Sequence, residues 1–109
     1  MYTRQLDHSL MRSEYGVLVW RLLKHLPEGL SPAFGASVVE LAPGDAVDPH
    51  EHQEHELWLL ISGRGEFEVD GHVRNVSEAT LCYMSPHQTH TIRNISQDST
   101  LKFISIWWE

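Results

Sequence analysis

Short apolar runs alternate with turn-forming residues along most of this chain. "GVLVWRLL" (16–23) is β-branched and aromatic enough to predict a strand. "KHLPEGLSPAFG" (24–35) holds two prolines and two glycines and predicts a loop. Further strands are predicted at "ASVVELA" (36–42), "ELWLLIS" (56–62), "EFEVD" (66–70), "HVRNV" (72–76), "TLCYM" (80–84), "HTIRNI" (90–95) and "TLKFISIWW" (100–108). Asp70-Gly71 separates two alternating runs and predicts a hairpin, because such a turn needs positive φ at its centre. Gly63 and Gly65 bracket Arg64 and mark a second sharp reversal. No run has a convincing helical period. The expected fold is all-β, a sandwich or small barrel, with residues 1–14 as an N-terminal arm.

The last strand is apolar on both faces: Leu101, Phe103 and Trp107 on one, Ile104, Ile106 and Trp108 on the other. One face should fill the barrel. The other needs cover, from the N-terminal strand or from a second subunit, since a large exposed apolar patch is unusual. A homodimer is the expectation.

At 109 residues the chain is long enough for one domain with one core. Its net charge of −7 argues against nucleic acid or an anionic membrane as partner. Cys82 is the single cysteine, so no internal disulfide forms, and its place in "TLCYM" makes it a small core residue. "MYTRQLDHSLMRSEYG" lacks the apolar centre of a signal peptide, and "GVLVW" is far too short to span a membrane. A cytoplasmic location is expected.

The chemistry concentrates in "PHEHQEHELW" (49–58), which offers electron-pair donors and no Lys or Arg. His50 and His52 are two residues apart, so on an extended chain their rings share a face. Glu56 opens the apolar "ELWLLIS" and carries a carboxylate into the core. Burying it alone would be costly, and a cation held by neutral imidazoles removes that penalty. "SPHQTHTIRN" (85–94) offers the remaining donor. His90 opens a strand and is the better candidate; His87 sits in the turn after Pro86. Three imidazoles and a carboxylate suit one divalent ion among Zn, Fe, Mn, Ni, Co and Cu.

The other polar residues have plainer expectations. His8, His25 and His72 read as surface residues. His55 neighbours Glu56 and should point away from it, unless it orients a ligand from outside. Alternation puts Trp58 and Leu60 on the face of Glu56, so Trp58 either walls a pocket or packs the core. Tyr83 could offer a hydroxyl if its face of "TLCYM" is inward.

The chain resembles the cupins. Their first motif, G-x5-H-x-H-x3-E-x6-G, runs here from Gly44 through His50, His52 and Glu56 to Gly63 with every spacing satisfied. Their second, G-x5-P-x-G-x2-H-x3-N, keeps His90 and Asn94 but has Ala79, Ser85 and His87 at its glycine, proline and second glycine. An alanine in the left-handed region costs roughly 1–2 kcal/mol, so a different shape is expected for the Glu78-Ala79 turn. The resemblance spans about residues 35–108. It implies a jelly-roll barrel with a metal bound inside by His50, His52, Glu56 and His90.

"FGAS" (34–37), the stretch from His50 to Gly71 and "FISIWWE" (103–109) are also similar to the cupin part of hydrazine synthetases. There a metal-binding cupin assists rearrangement to an N–N bond, beside an aminoacyl-tRNA-synthetase-like domain that activates an amino acid. By that resemblance this chain would need a synthetase-like partner. It has no Gly-rich phosphate loop opening a helix that could bind ATP, and zinc would suffice, since no redox change is needed. Three function classes follow: a metalloenzyme acting on a small polar metabolite without net oxidation, an Fe(II) dioxygenase, and a non-enzymatic cupin that binds a small ligand.

Overall fold

The computed structural model describes residues 1–109. Nine strands follow one another: β1 (Arg12–Glu14), β2 (Val17–Arg21), β3 (Phe34–Leu41), β4 (His55–Ser62), β5 (Arg64–Val69), β6 (His72–Ser77), β7 (Leu81–Met84), β8 (His90–Asn94) and β9 (Leu101–Trp108). Every pairing is antiparallel. One six-stranded sheet has the order β1-β2-β3-β9-β4-β7, and a three-stranded sheet has the order β6-β5-β8. They close into a jelly-roll barrel, the all-β architecture expected from the pattern. No helix is long and apolar enough to cross a membrane.

Period-two alternation builds the core. Val17 and Val19, Val39 and Leu41, Trp58 and Leu60, Cys82 and Met84, and Leu101 and Phe103 all point inward and meet Ile92 of the smaller sheet. Cys82 is thus a packed core thiol, and burial pushes its pKa up to about 11. Asn94 is 1% exposed and is satisfied on both ends of its amide. Its Nδ2 donates to the carbonyls of Leu41 and Ser99 at 3.0 and 2.8 Å, and its Oδ1 accepts from the Ser96 amide. That buried amide ties the start of the metal-site loop to the end of β8.

Several expectations are corrected. The supposed arm is partly sheet: Arg12–Glu14 pairs with β2, closed by the two-residue turn Tyr15-Gly16 with φ of 53° and 79°. Trp20 Nε1 also donates to the Asp7 carbonyl and His8 bonds Glu40, so the chain before β1 is docked. The run 16–23 leaves the sheet at Arg21 and makes a 3-10 turn over Leu22–His25. Gly63 marks a corner, not a reversal. There the chain passes from the larger sheet into the smaller one, and Gly63 is pressed against Thr100 so closely that a Cβ would lie 2.7 Å from its carbonyl oxygen.

The Glu78-Ala79 turn keeps the left-handed shape. Ala79 has φ 65° and His87 has φ 66°, at the two positions where the second cupin motif carries glycine. Local bonds hold each in place: the Ala79 amide donates to the Leu60 carbonyl at 2.9 Å and the His87 amide to the His52 carbonyl at 2.8 Å. The N-terminal strands lie beside β3 rather than over β9, so the outer face of β9 is not covered by them.

Candidate metal centre

The backbone sets two of the four donors side by side. His50 and His90 form an isolated antiparallel bridge, with amides donating to each other's carbonyls at 3.3 and 3.0 Å. His52 follows two residues later on the same loop. Glu56 comes from β4, where it faces Met84 of β7 and Trp107 of β9 in register. One ligand atom from each of His50, His52, Glu56 and His90 lies within 4.8 Å of all the others.

Hydrogen bonding fixes which ring nitrogens face inward. Nδ1 of His50, His90 and His52 lies 2.8, 2.8 and 3.1 Å from the carbonyls of Asp48, Gln88 and Glu54. A carbonyl only accepts, so each Nδ1 carries a proton, and in the neutral, metal-ligating form each ring turns its Nε2 lone pair toward the centre. There the lone pairs meet another acceptor: His52 Nε2 is 2.7 Å and His90 Nε2 3.3 Å from Oε1 of Glu56. His90 Nε2 is fully buried and has no hydrogen-bond partner. Acceptors converging on one point in a dry site are repulsive unless a proton or cation lies between them. The residues fit a divalent ion on these grounds.

Glu56 is built to stay ionised. Its Oε2 accepts from Trp58 Nε1 at 2.8 Å and from the Ser105 hydroxyl, leaving Oε1 for the centre. Burial pushes its pKa up, yet hydrogen bonds to its ionised form, from His90 and His52 when a proton rather than a metal occupies their Nε2 positions and from Ser105 and Trp58 throughout, outweigh burial and hold it at about 2. Burial is also the largest influence on His50 and holds its pKa below the ordinary range, so the ring is kept neutral against the pull of the Asp48 carbonyl. A neutral imidazole and an ionised carboxylate are the forms that ligate metal.

A cavity of about 170 Å³ opens onto this centre. Trp58 lines it and is itself 2% exposed, so it is both wall and core residue. His55 and Tyr83 lie on the outer face of the sheet instead, hydrogen-bonded to each other at 2.6 Å, with His55 stacked on Trp108. They do not line the cavity, because β4 and β7 alternate and the buried Glu56, Trp58, Cys82 and Met84 take the inner positions. His87 is exposed and lies outside the cluster, 3.8 Å from Glu51.

Four further residues of the site were not singled out by sequence reading. Ser105 alternates with Phe103 and Trp107 on the inner face of β9, which its parity could have indicated. Tyr15 stacks on His50 with ring centroids 4.1 Å apart. Arg21 pairs with Glu14 and lies 5.3 Å from the centre of the Trp107 ring. Tyr15, Glu14 and Arg21 belong to a hairpin of which sequence showed only the second strand.

Fold and site together define a small barrel with a three-histidine, one-carboxylate centre. Residues 37–107 match the cupin domain family, and the chain belongs to it. Its fold matches a cupin 2 conserved barrel domain protein from Salinispora arenicola CNS-205, with a TM-score of 0.88 and 27% identity over 100% of this chain and 89% of the other. A 5-nitrosalicylic acid 1,2-dioxygenase of Bradyrhizobium sp is 25% identical over 70% of this chain and 37% of its own length. An oxalate-binding protein of Thermotoga maritima is 26% identical over 62% of this chain and 56% of its own length. The chain thus spans about a third to just over half of these two relatives.

Proposed function

We propose that this protein is a metal-dependent cupin enzyme that takes a small polar metabolite into the barrel and transforms it at one divalent ion. The observation that carries the reading is the buried, unpartnered Nε2 of His90, aimed with two other imidazoles at an ionised Glu56. A divalent ion held there would supply Lewis-acid polarisation and a template for the bound metabolite. The protein's own residues do the rest. Trp58 and Ser105 hold the Glu56 carboxylate, Val39, Val47 and Phe103 give the cavity an apolar wall, and Tyr15 covers the His50 ring. The cavity is below the roughly 300 Å³ at which pockets for drug-sized ligands begin, which favours a metabolite of few heavy atoms.

The finer reading is N–N bond formation with a synthetase-like partner. It rests on the similarity of the His50–Gly71 and 103–109 stretches to hydrazine-synthetase cupins. The competing reading is an Fe(II) dioxygenase, favoured by the name of the Bradyrhizobium relative. One pair of assays separates them. Zinc-loaded protein is incubated without oxygen with a synthetase-like partner, ATP, an amino acid and an N-hydroxylated amine, and products are read by mass spectrometry. Iron-loaded protein is placed in an oxygen electrode with small hydroxylated aromatic acids. Anaerobic N–N product that is lost in Glu56→Ala supports the first reading. Substrate-dependent oxygen uptake by the protein alone overturns it in favour of the second.

A further inference from the structure

The partly exposed Arg21 guanidinium lines the cavity. Val17, Val19 and Arg21 share the inward face of β2, so the strand that seals the core ends by delivering a cation to the cavity. Glu14, from the paired strand β1, holds it twice over: Nη2 donates to Oε1 at 2.6 Å, and Nε lies 3.2 and 3.1 Å from Oε1 and Oε2. The Trp107 indole supports the other side at 5.3 Å from Cζ. Arginine has five N–H bonds in a fixed fork. The two on Nη1 and one on Nη2 have no partner in the protein.

Arg21 is also the only cationic side chain lining the cavity, whose acidic members are Glu14, Glu54 and Glu56. Glu14 is committed to Arg21 and Glu56 to the metal centre, and the Glu54 carboxylate lies 3.8 Å from Nδ1 of His52. A half-buried guanidinium locked on two sides, with free donors beside an anion-attracting centre, is arranged to hold a planar oxyanion.

We infer that Arg21 is the specificity residue of the cavity, anchoring a carboxylate on a ligand whose other end reaches the metal centre. This rests on the metal-site reading above. Glu14 and Trp107 are positioning residues that fix the guanidinium and cost the ligand no rotamer entropy on binding. The substrate class is then a small acid with a second donor group.

The test uses cobalt-loaded protein and reads binding by visible absorption and calorimetry. The probes are the straight-chain dicarboxylates from oxalate to adipate, each compared with its monoamide, and azide as a ligand for the metal alone. Wild type should bind at least one diacid about tenfold or more tighter than its monoamide, the scale of one charge-assisted hydrogen-bonded pair. Arg21→Gln should abolish that preference while binding azide as wild type does. An unchanged preference in Arg21→Gln, or none in wild type, overturns the inference while azide binding leaves the metal site standing. Failure of wild type to take up cobalt or bind azide sinks the metal-site reading itself. Should Arg21→Gln not fold, Arg21→Lys keeps the charge opposite Glu14 and loses the fork. Its preference should fall several-fold, and an undiminished one counts against the proposal.

Discussion

The indole of Trp58 donates to the carboxylate of Glu56, two residues earlier on the same face of β4, across 2.8 Å. Ser105 on the neighbouring strand donates to the same oxygen. A core residue and a small polar residue thereby aim the carboxylate that enters the metal centre. Removing both donors leaves Oε2 buried and unsatisfied and frees the group to turn. Trp58→Phe combined with Ser105→Ala should lower metal affinity by about 10- to 100-fold, the usual effect of losing groups that orient a ligand. Competition with a chromogenic chelator measures it, and unchanged affinity would show that the carboxylate needs no orienting.

The ligand set predicts one divalent ion per chain. His50→Ala and His90→Ala should each reduce metal content to near zero while the barrel stays folded, as read by elemental analysis beside circular dichroism. Full metal retention in both variants would remove these residues from the site.

Acid should destabilise the protein in two stages of the same sign. The His50 pKa lies below its ordinary 6.5, so the unfolded chain takes up this proton first and stability falls as pH drops below about 6.5. Glu56 is held at about 2 against an ordinary 4.5; its contribution is complete above 4.5 and is lost as pH falls from there toward 2. Bound metal steepens the decline, because protons compete for the imidazoles. Thermal unfolding of the chelator-treated protein between pH 7 and 3 gives the intrinsic profile. A melting temperature that holds or rises over that interval contradicts it.

Gly35 lies under Trp107, where a Cβ would come within 1.9 Å of the indole. Gly35→Ala must therefore displace the ring that supports Arg21, at a cost of about 1–3 kcal/mol for overpacking. The double variant Gly35→Ala, Trp107→Ala should be far less than additive, since the clash disappears with the ring. Denaturant titrations of the two single variants and the double one decide this. Additive losses would place the strain elsewhere.

Most of the barrel was legible because its signals are local. Eight strands lie within two residues of the predicted runs, Asp70-Gly71 makes the expected hairpin, and spacing together with strand position picked out the four residues that the structure brings together. What escaped depended on contacts distant in sequence. Arg12–Glu14 is too short and polar to show a strand period, and only its pairing with β2 reveals that Tyr15 stacks on His50 and that Glu14 holds Arg21. Ala79 and His87 accept left-handed backbone because Leu60 and His52 carbonyls bind their amides, which propensity cannot report. The inward and outward faces of "TLCYM" were likewise undecidable until Cys82 and Met84 were seen inside, putting Tyr83 out.

The outer face of the larger sheet predicts the oligomeric state. Trp20, Val38, Ile104, Leu59 and Leu81 stand next to one another in register across β2, β3, β9, β4 and β7, and Ala36, Ile106, Leu57 and Tyr83 form a parallel row. Ala36 is buried and Trp20 packs against the docked N-terminal segment, but Leu59, Leu81 and Tyr83 are 40, 63 and 51% exposed, so the open apolar surface lies at the β9-β4-β7 end of these rows. Burying it against a second copy removes it from water at roughly 25 cal/mol per Å², and two-fold symmetry lets one patch meet itself. A homodimer is the expected state. Leu59→Lys places a charge between Ile104 and Leu81, at the exposed end of the first row, without touching the inner wall. It should yield a monomer that still binds metal, as read by light scattering and metal analysis. A wild-type protein that stays monomeric at micromolar concentration, or a Leu59→Lys protein that stays dimeric, would move the interface off this face.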